Sequence, residues 1–157
     1  MKITVIAMGK LKAKYALLAT DDFLKRASRF FKIDHIEVKD VRRGRSSSHQ
    51  DWRNEEASAL LKHVPKNAAL IALDEHGKQR NSTEFSSWIE TFKVRGQSHI
   101  VFALGGPDGH GKNLLEVAQH KMSLSHMTLT HELARIVLFE QLYRAGSLLA
   151  GHPYHRD

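Results

Sequence analysis

The chain of 157 residues contains no cysteine. That excludes disulfides, thiolate catalysis and cysteine-ligated zinc, and it points to a cytoplasmic compartment. No apolar run approaches the ~20 residues that a membrane span needs. Met1 to Met8 is too short for the apolar core of a signal peptide. The phosphate-cradling patterns GxxxxGK[ST] and GxGxxG are both missing, and no GxSxG elbow surrounds Ser125. Nucleotide-phosphate sites and hydrolase triads therefore lose their usual anchors. Histidines number eleven. The close pairs, His126 with His131 and His152 with His155, have no cysteine or carboxylate company, so no metal site is expected.

What is present is ordinary for a folded soluble domain: 41% hydrophobic and 26% charged residues, with a length that implies one domain over residues 1–157. Lysine plus arginine outnumber aspartate plus glutamate by 24 to 17, a net +7. That excess favours a polyanionic partner such as RNA or DNA, although surplus lysine is also common without one.

The chain is organised around His99 to Gly109, HIVFALGGPDG. Ile100 to Leu104 is a continuous apolar run, the pattern of a strand buried on both faces. Gly105 to Gly109 cannot extend it, because three glycines and Pro107 favour a bare backbone turn. Ligands in open α/β sheets sit beyond the carboxyl ends of strands, so this turn is a candidate site. Lys2 to Met8 reads as a first strand. Leu11 to Phe31 has helical spacing, with a break predicted near Asp21-Asp22. A second strand surrounds His35 to Val38. The basic, glycine- and serine-containing stretch Asp40 to His49 reads as a loop, either a phosphate grip or a solvated linker. A helix is predicted over Asp51 to Val64 with Asp51 as N-cap, stopped by Pro65. Ala68 to Leu73 is a second buried strand, and Asp74 to Lys78 reads as a polar loop. Asn81 to Glu84 offers caps for a helix through Phe92. A short helix over Asn113 to His120 precedes an alternating stretch, Lys121 to Thr130, read as a short strand and a loop. His131 to Leu149 is the strongest helix. Alternating strands and helices imply an α/β fold with a mainly parallel sheet.

In a parallel sheet the segments after Leu73, after Leu104 and over Leu124 to Leu129 can meet at one edge. Backbone groups there suit a ligand with a nucleoside and a cationic centre better than a triphosphate.

LDEHGK (Leu73 to Lys78), GGPDG, SLSHMTLTHELARIVLFEQLYRA (Ser123 to Ala145) and the terminal HPYHRD resemble the RlmH family. These are SPOUT-class pseudouridine N3-methyltransferases of large-subunit ribosomal RNA. The resemblance runs from the opening strand, through Arg42 to Gly44, to the last residue. It implies the SPOUT α/β knot, with helices on both faces of the sheet and the C-terminal segment threaded into a trefoil. It implies S-adenosylmethionine as cofactor, held by Leu73, Gly105, Leu124, Ser125, His126, Met127, Thr128 and Leu129. It also implies a homodimer in which the tail of one subunit reaches the cofactor site of the other, acting on a stem-loop near the decoding region of the assembled ribosome. In the tail, His155 or Tyr154 assists removal of the N3 proton, and Arg156 binds phosphate or a base oxygen. Glu140 and Arg144, four apart on one helix face, either line the same site or form a structural ion pair. Two positions depart from the family pattern. Thr130 replaces a usual proline, and His126 sits where smaller residues are frequent. The alternative reading is a non-catalytic RNA- or ribosome-binding factor with the same fold.

Overall fold

A computed structural model describes residues 1–41 and 48–154, without the side chains of His49 and Gln50. Five strands, β1 (Lys2–Met8), β2 (Lys32–Val38), β3 (Ala69–Lys78), β4 (His99–Leu104) and β5 (His120–Met122), alternate with five helices. These are α1 (Lys14–Ala27), α2 (His49–Leu61), α3 (Ser82–Val94), α4 (Lys112–Val117) and α5 (His131–Leu149). The sheet order is β2-β1-β4-β3-β5, and every pairing is parallel. All five strands therefore deliver their carboxyl ends to one edge, the geometry that collects loops into a site.

The period-2 alternation of strand side chains divides the core. Ile3, Val5 and Ala7 of β1 pack with Phe102, Phe85, Leu138 and Phe139 under α1, α3 and α5. Ile6 and Met8 face the other way, against Leu60, Leu70, Val101 and Leu114 under α2 and α4. Both faces of β1 and β4 are covered, which is why their sequences are continuous apolar runs.

Several local expectations are corrected. Helix α1 runs unbroken through Asp21-Asp22, because both carboxylates point outward and pair one turn on, Asp21 with Lys25 at 2.6 Å and Asp22 with Arg26 at 2.9 Å. The N-cap of α2 is Ser48, not Asp51. Asp51 is the third helical residue and completes a capping box, its carboxylate accepting the Ser48 N–H at 3.0 Å. Strand β3 does not stop at Leu73. After an irregularity it continues to Lys78, whose carbonyl accepts the Ser123 N–H at 3.2 Å. Gly77 permits this, since a Cβ there would sit 2.5 Å from the Met122 backbone. Helix α4 ends at Val117, and His120 opens β5. Thr130 caps α5, its hydroxyl accepting the Leu133 N–H at 3.3 Å, a bond that proline at this position could not offer. Most of the predicted basic loop, residues 42–47, lies outside the described residues.

Candidate functional site

At the carboxyl edge a cavity of about 160 Å³ opens between β3, β5 and the segment leading into α5. Leu73 and Met122, paired in register, form its floor. Leu124, Ser125, Met127, Thr128 and Leu129 wall it, together with Ser123 and Ala134. The loop is held by its own hydroxyls: Ser123 Oγ donates to the Ser125 carbonyl at 2.8 Å, and the Met127 N–H donates to Ser125 Oγ at 2.9 Å. Asp74 and Glu75 complete the lining, and neither was anticipated as a site residue. Both lie in the stretch read from sequence as a polar loop, so the signal was present in LDEHGK.

Among the described residues no lysine or arginine lines this cavity. Two acidic residues at the rim of an apolar floor, Asp74 with one oxygen accepting the His76 N–H at 2.9 Å and Glu75 largely in solvent, suit a ligand with a positive centre better than a phosphate. S-adenosylmethionine, with its sulfonium, ammonium and nucleoside, fits that donor set.

Gly105 and His126 do not line the cavity. Gly105 follows Leu104, which pairs with Leu73, so it lies beside the floor. Its missing side chain is needed locally, since a Cβ would lie 3.0 Å from the Gly109 backbone and 3.2 Å from His110 Nδ1. The His126 side chain is exposed. His110 itself is buried under the glycine turn, with Nε2 3.1 Å from the Ala103 carbonyl oxygen. Burial pushes its pKa below the ordinary histidine value, so it is neutral at pH 7 and Nε2 carries the proton.

The tail candidates form a second cluster. Glu140 and Arg144 pair directly along α5, and the Tyr154 hydroxyl donates to Glu140 Oε1 at 3.2 Å. The Tyr154 ring packs on Tyr143 at 4.4 Å between centroids, with the Arg144 guanidinium 4.8 Å above it. Burial and the Glu140 charge raise the Tyr154 pKa, which keeps the phenol protonated. This cluster lines no part of the cavity within one chain. Glu140 lies six residues beyond Ala134, roughly 9 Å along the helix. His155 and Arg156 lie outside the described residues.

Arg135 is the feature least visible in the sequence. It interrupts the apolar face of α5 and is fully buried. Its Nη2 donates to the carbonyls of Met8 and Gly9 at 2.5 and 2.7 Å, and Nη1 to Glu37 Oε1 at 3.0 Å. The helix that follows the cavity loop is thereby fastened to the end of β1.

A family model described as Predicted SPOUT methyltransferase matches residues 1–155. The chain belongs to the SPOUT methyltransferase family. It is 41% identical to the ribosomal RNA large subunit methyltransferase H of Clostridium novyi (strain NT), over 99% of this chain and 100% of that protein. Proteins of the same name from Acetivibrio thermocellus and Ruminiclostridium cellulolyticum are 39% and 41% identical, with the same coverage. The family membership expected from LDEHGK, GGPDG and the last helix is thus established over nearly the whole chain. Among the described residues no group of three or more histidines and carboxylates is arranged to hold a metal, and no helix is long and apolar enough to cross a membrane.

Proposed function

We propose that this protein transfers a methyl group from S-adenosylmethionine to N3 of a pseudouridine in large-subunit ribosomal RNA of the assembled ribosome. The observation that carries the reading is the cavity built from Leu73 to Glu75, Ser123 to Ser125 and Met127 to Leu129 at the carboxyl edge of the sheet, acidic and without a basic side chain among the described residues. The relatives' printed name supplies the RNA, and the net +7 charge suits it.

The donor, when bound, supplies an electrophilic methyl on a positively charged sulfur. The protein's own residues then have three tasks. Asp74 and Glu75 would favour a cationic group of the donor, while Leu73, Met122 and Leu124 would exclude water from its apolar parts. Gly105, beside the floor, and His126, at the loop tip, stand at its margins. The second task is alignment, since methyl transfer depends on a near-linear approach of nucleophile to sulfur. The third is the N3 proton. Tyr154, whose single O–H proton goes to Glu140, offers its phenol oxygen as an acceptor for the N3–H. His155 is the tail group whose ordinary pKa suits proton removal near neutrality. Arg156 holds a phosphate or base oxygen, and Glu140 with Arg144 orients Tyr154.

Because the Glu140 cluster and the cavity are separate within one chain, the reading requires a homodimer that brings a partner's tail to the cavity. Exposed Tyr15, Leu18 and Leu133, at 55%, 63% and 41%, support it. They lie where the first two turns of α1 meet the first turn of α5, since Glu132 accepts the N–H groups of Lys12 and Ala13. The trefoil threading of the C-terminal segment belongs to the same reading.

The test combines calorimetry with S-adenosylmethionine and mass spectrometry of ribosomal RNA after incubation with labelled donor. Stoichiometric heat and a single methylated pseudouridine are expected. RNA binding without donor heat or methyl transfer would leave the non-catalytic factor in its place.

A further inference from the structure

Three exposed lysines stand at the carboxyl edge, two of them on a segment whose backbone is fastened. In the segment between β1 and α1, the amide groups of Leu11, Lys12 and Ala13 are tied one after another to Glu37 of β2 and Glu132 of α5. The Leu11 N–H donates to Glu37 Oε1 at 2.8 Å, and the Lys12 and Ala13 N–H groups donate to Glu132 Oε1 at 2.8 and 3.0 Å. Arg135 grips the carbonyls of Met8 and Gly9 just before it, and holds Glu37 as well. Leu11 is buried, whereas Lys10 and Lys12 are exposed on either side of it. Lys39, at the end of β2, faces the same hollow of about 460 Å³ with Lys10 and Lys12. None of the three ammonium groups makes an ion pair among the described residues. The carboxylates of that hollow, Glu37 and Asp40, lie within the field of Arg135.

The hollow opens into a cleft reaching Pro107 of the glycine turn and His131 of α5. Ala134, one turn further along α5, lines the donor cavity. Lys10 and Lys12 therefore share a cleft with the α5 turn next to the one that lines the donor cavity, and Lys39 extends the basic surface outward onto β2.

We propose that Lys10, Lys12 and Lys39 form a pre-organised rim that grips the RNA sugar–phosphate backbone next to the methylated nucleotide. This rests on the reading of the protein as an RNA methyltransferase. Exposed lysines without partners neutralise phosphates and release counterions, so they contribute affinity in proportion to salt rather than to sequence. A pinned backbone loses little conformational freedom when the phosphates arrive.

The test is the variant Lys10→Gln/Lys12→Gln/Lys39→Gln of the full chain. Binding to fluorescently labelled large-subunit ribosomal RNA is measured by anisotropy from 50 to 300 mM salt, separately from methyl transfer to ribosomes. A control variant neutralises Lys62, Lys66 and Lys93, exposed at the opposite edge of the sheet. The slope of log K against log salt is expected to fall by about 2 to 3 in the rim variant, at ~0.7–0.9 per phosphate contact. KM for ribosomes should rise at least roughly tenfold, while the heat of S-adenosylmethionine binding stays the same. An unchanged slope, or an equal fall in the control, overturns the rim. Salt-dependent RNA binding through the rim with no methyl transfer by the wild type would instead refute the proposed reaction and leave the rim standing.

Discussion

Replacing Arg135 with methionine should cost this protein a large part of its stability. Methionine keeps most of the apolar stem and removes the guanidinium. Two carbonyl oxygens at the end of β1, on residues with essentially no solvent contact, lose their donors at 2.5 and 2.7 Å. A buried acceptor left without a partner costs ~1–3 kcal/mol. Glu37 loses its cation too, but its side chain is 27% exposed and still accepts the Leu11 N–H, so water offsets much of that loss. Working the other way, Arg135 Nε has no hydrogen-bond partner among the described residues, and methionine removes that cost. The balance is a net destabilisation of about 2–4 kcal/mol. At roughly 2–4 °C per kcal/mol for a chain of this size, Tm should fall by about 5–15 °C. Urea unfolding followed by circular dichroism at pH 7.5 gives the free energy, and a thermal scan gives Tm. A loss below about 1 kcal/mol, or a gain, would refute the claim that Arg135 is the fastening between α5 and β1.

Gly77→Ala should destabilise by more than about 2 kcal/mol and abolish donor binding, because the new methyl would lie 2.5 Å from backbone atoms of Met122 that cannot yield. Urea midpoints and calorimetry read the two effects, and a near-neutral alanine would show that β3 and β5 are not packed so closely. Tyr154→Phe removes one partly exposed hydrogen bond to Glu140 and should cost under about 1 kcal/mol in stability. It should lower kcat for ribosome methylation at least tenfold with donor affinity unchanged; equal kcat would remove the phenol from the reaction. Stability should also decline in mild acid. The pKa values of His35 and His110 are both depressed by burial, so between the ordinary histidine value and the folded one the unfolded chain binds more protons. Their stabilisation is complete above about pH 6.5 and is lost as pH falls through the folded values. The urea midpoint should drop between pH 7.5 and 5.5, and drop less in His110→Gln, which keeps a donor for Ala103 without titrating. Equal drops in the two proteins would exclude His110 as a contributor.

The parts of this molecule that were legible in its sequence are those written in local periodicity. β1 and α5 have the observed bounds, and β4 begins only one residue early, at His99, because an apolar run between glycine and polar punctuation admits one reading. The misreadings share a cause: a distant partner decides the local structure. Asp74 to Lys78 looks like a loop by composition, and becomes strand only because Ser123 and Met122 arrive from 45 residues away to pair with it. Asp21-Asp22 looks like a helix break until Lys25 and Arg26 supply the ion pairs. The cavity follows the same logic. Its loop residues, Leu124 to Leu129, stand out as small and polar, whereas the acidic residues of its lining, Asp74 and Glu75, lie in the misread stretch. Arg135 is the sharpest case. A single arginine on an apolar helix face reads as a defect, and only the convergence of Met8, Gly9 and Glu37 upon it, 98 to 127 residues away in the chain, turns it into a fastening. Because α5 follows the donor loop directly and Arg135 ties it to the strand end that presents Lys10 and Lys12, a perturbation at Arg135 should disturb both RNA affinity and donor affinity, whereas the lysine variants should disturb only the first. That asymmetry between one buried and three exposed cations distinguishes a shared scaffold from two independent sites.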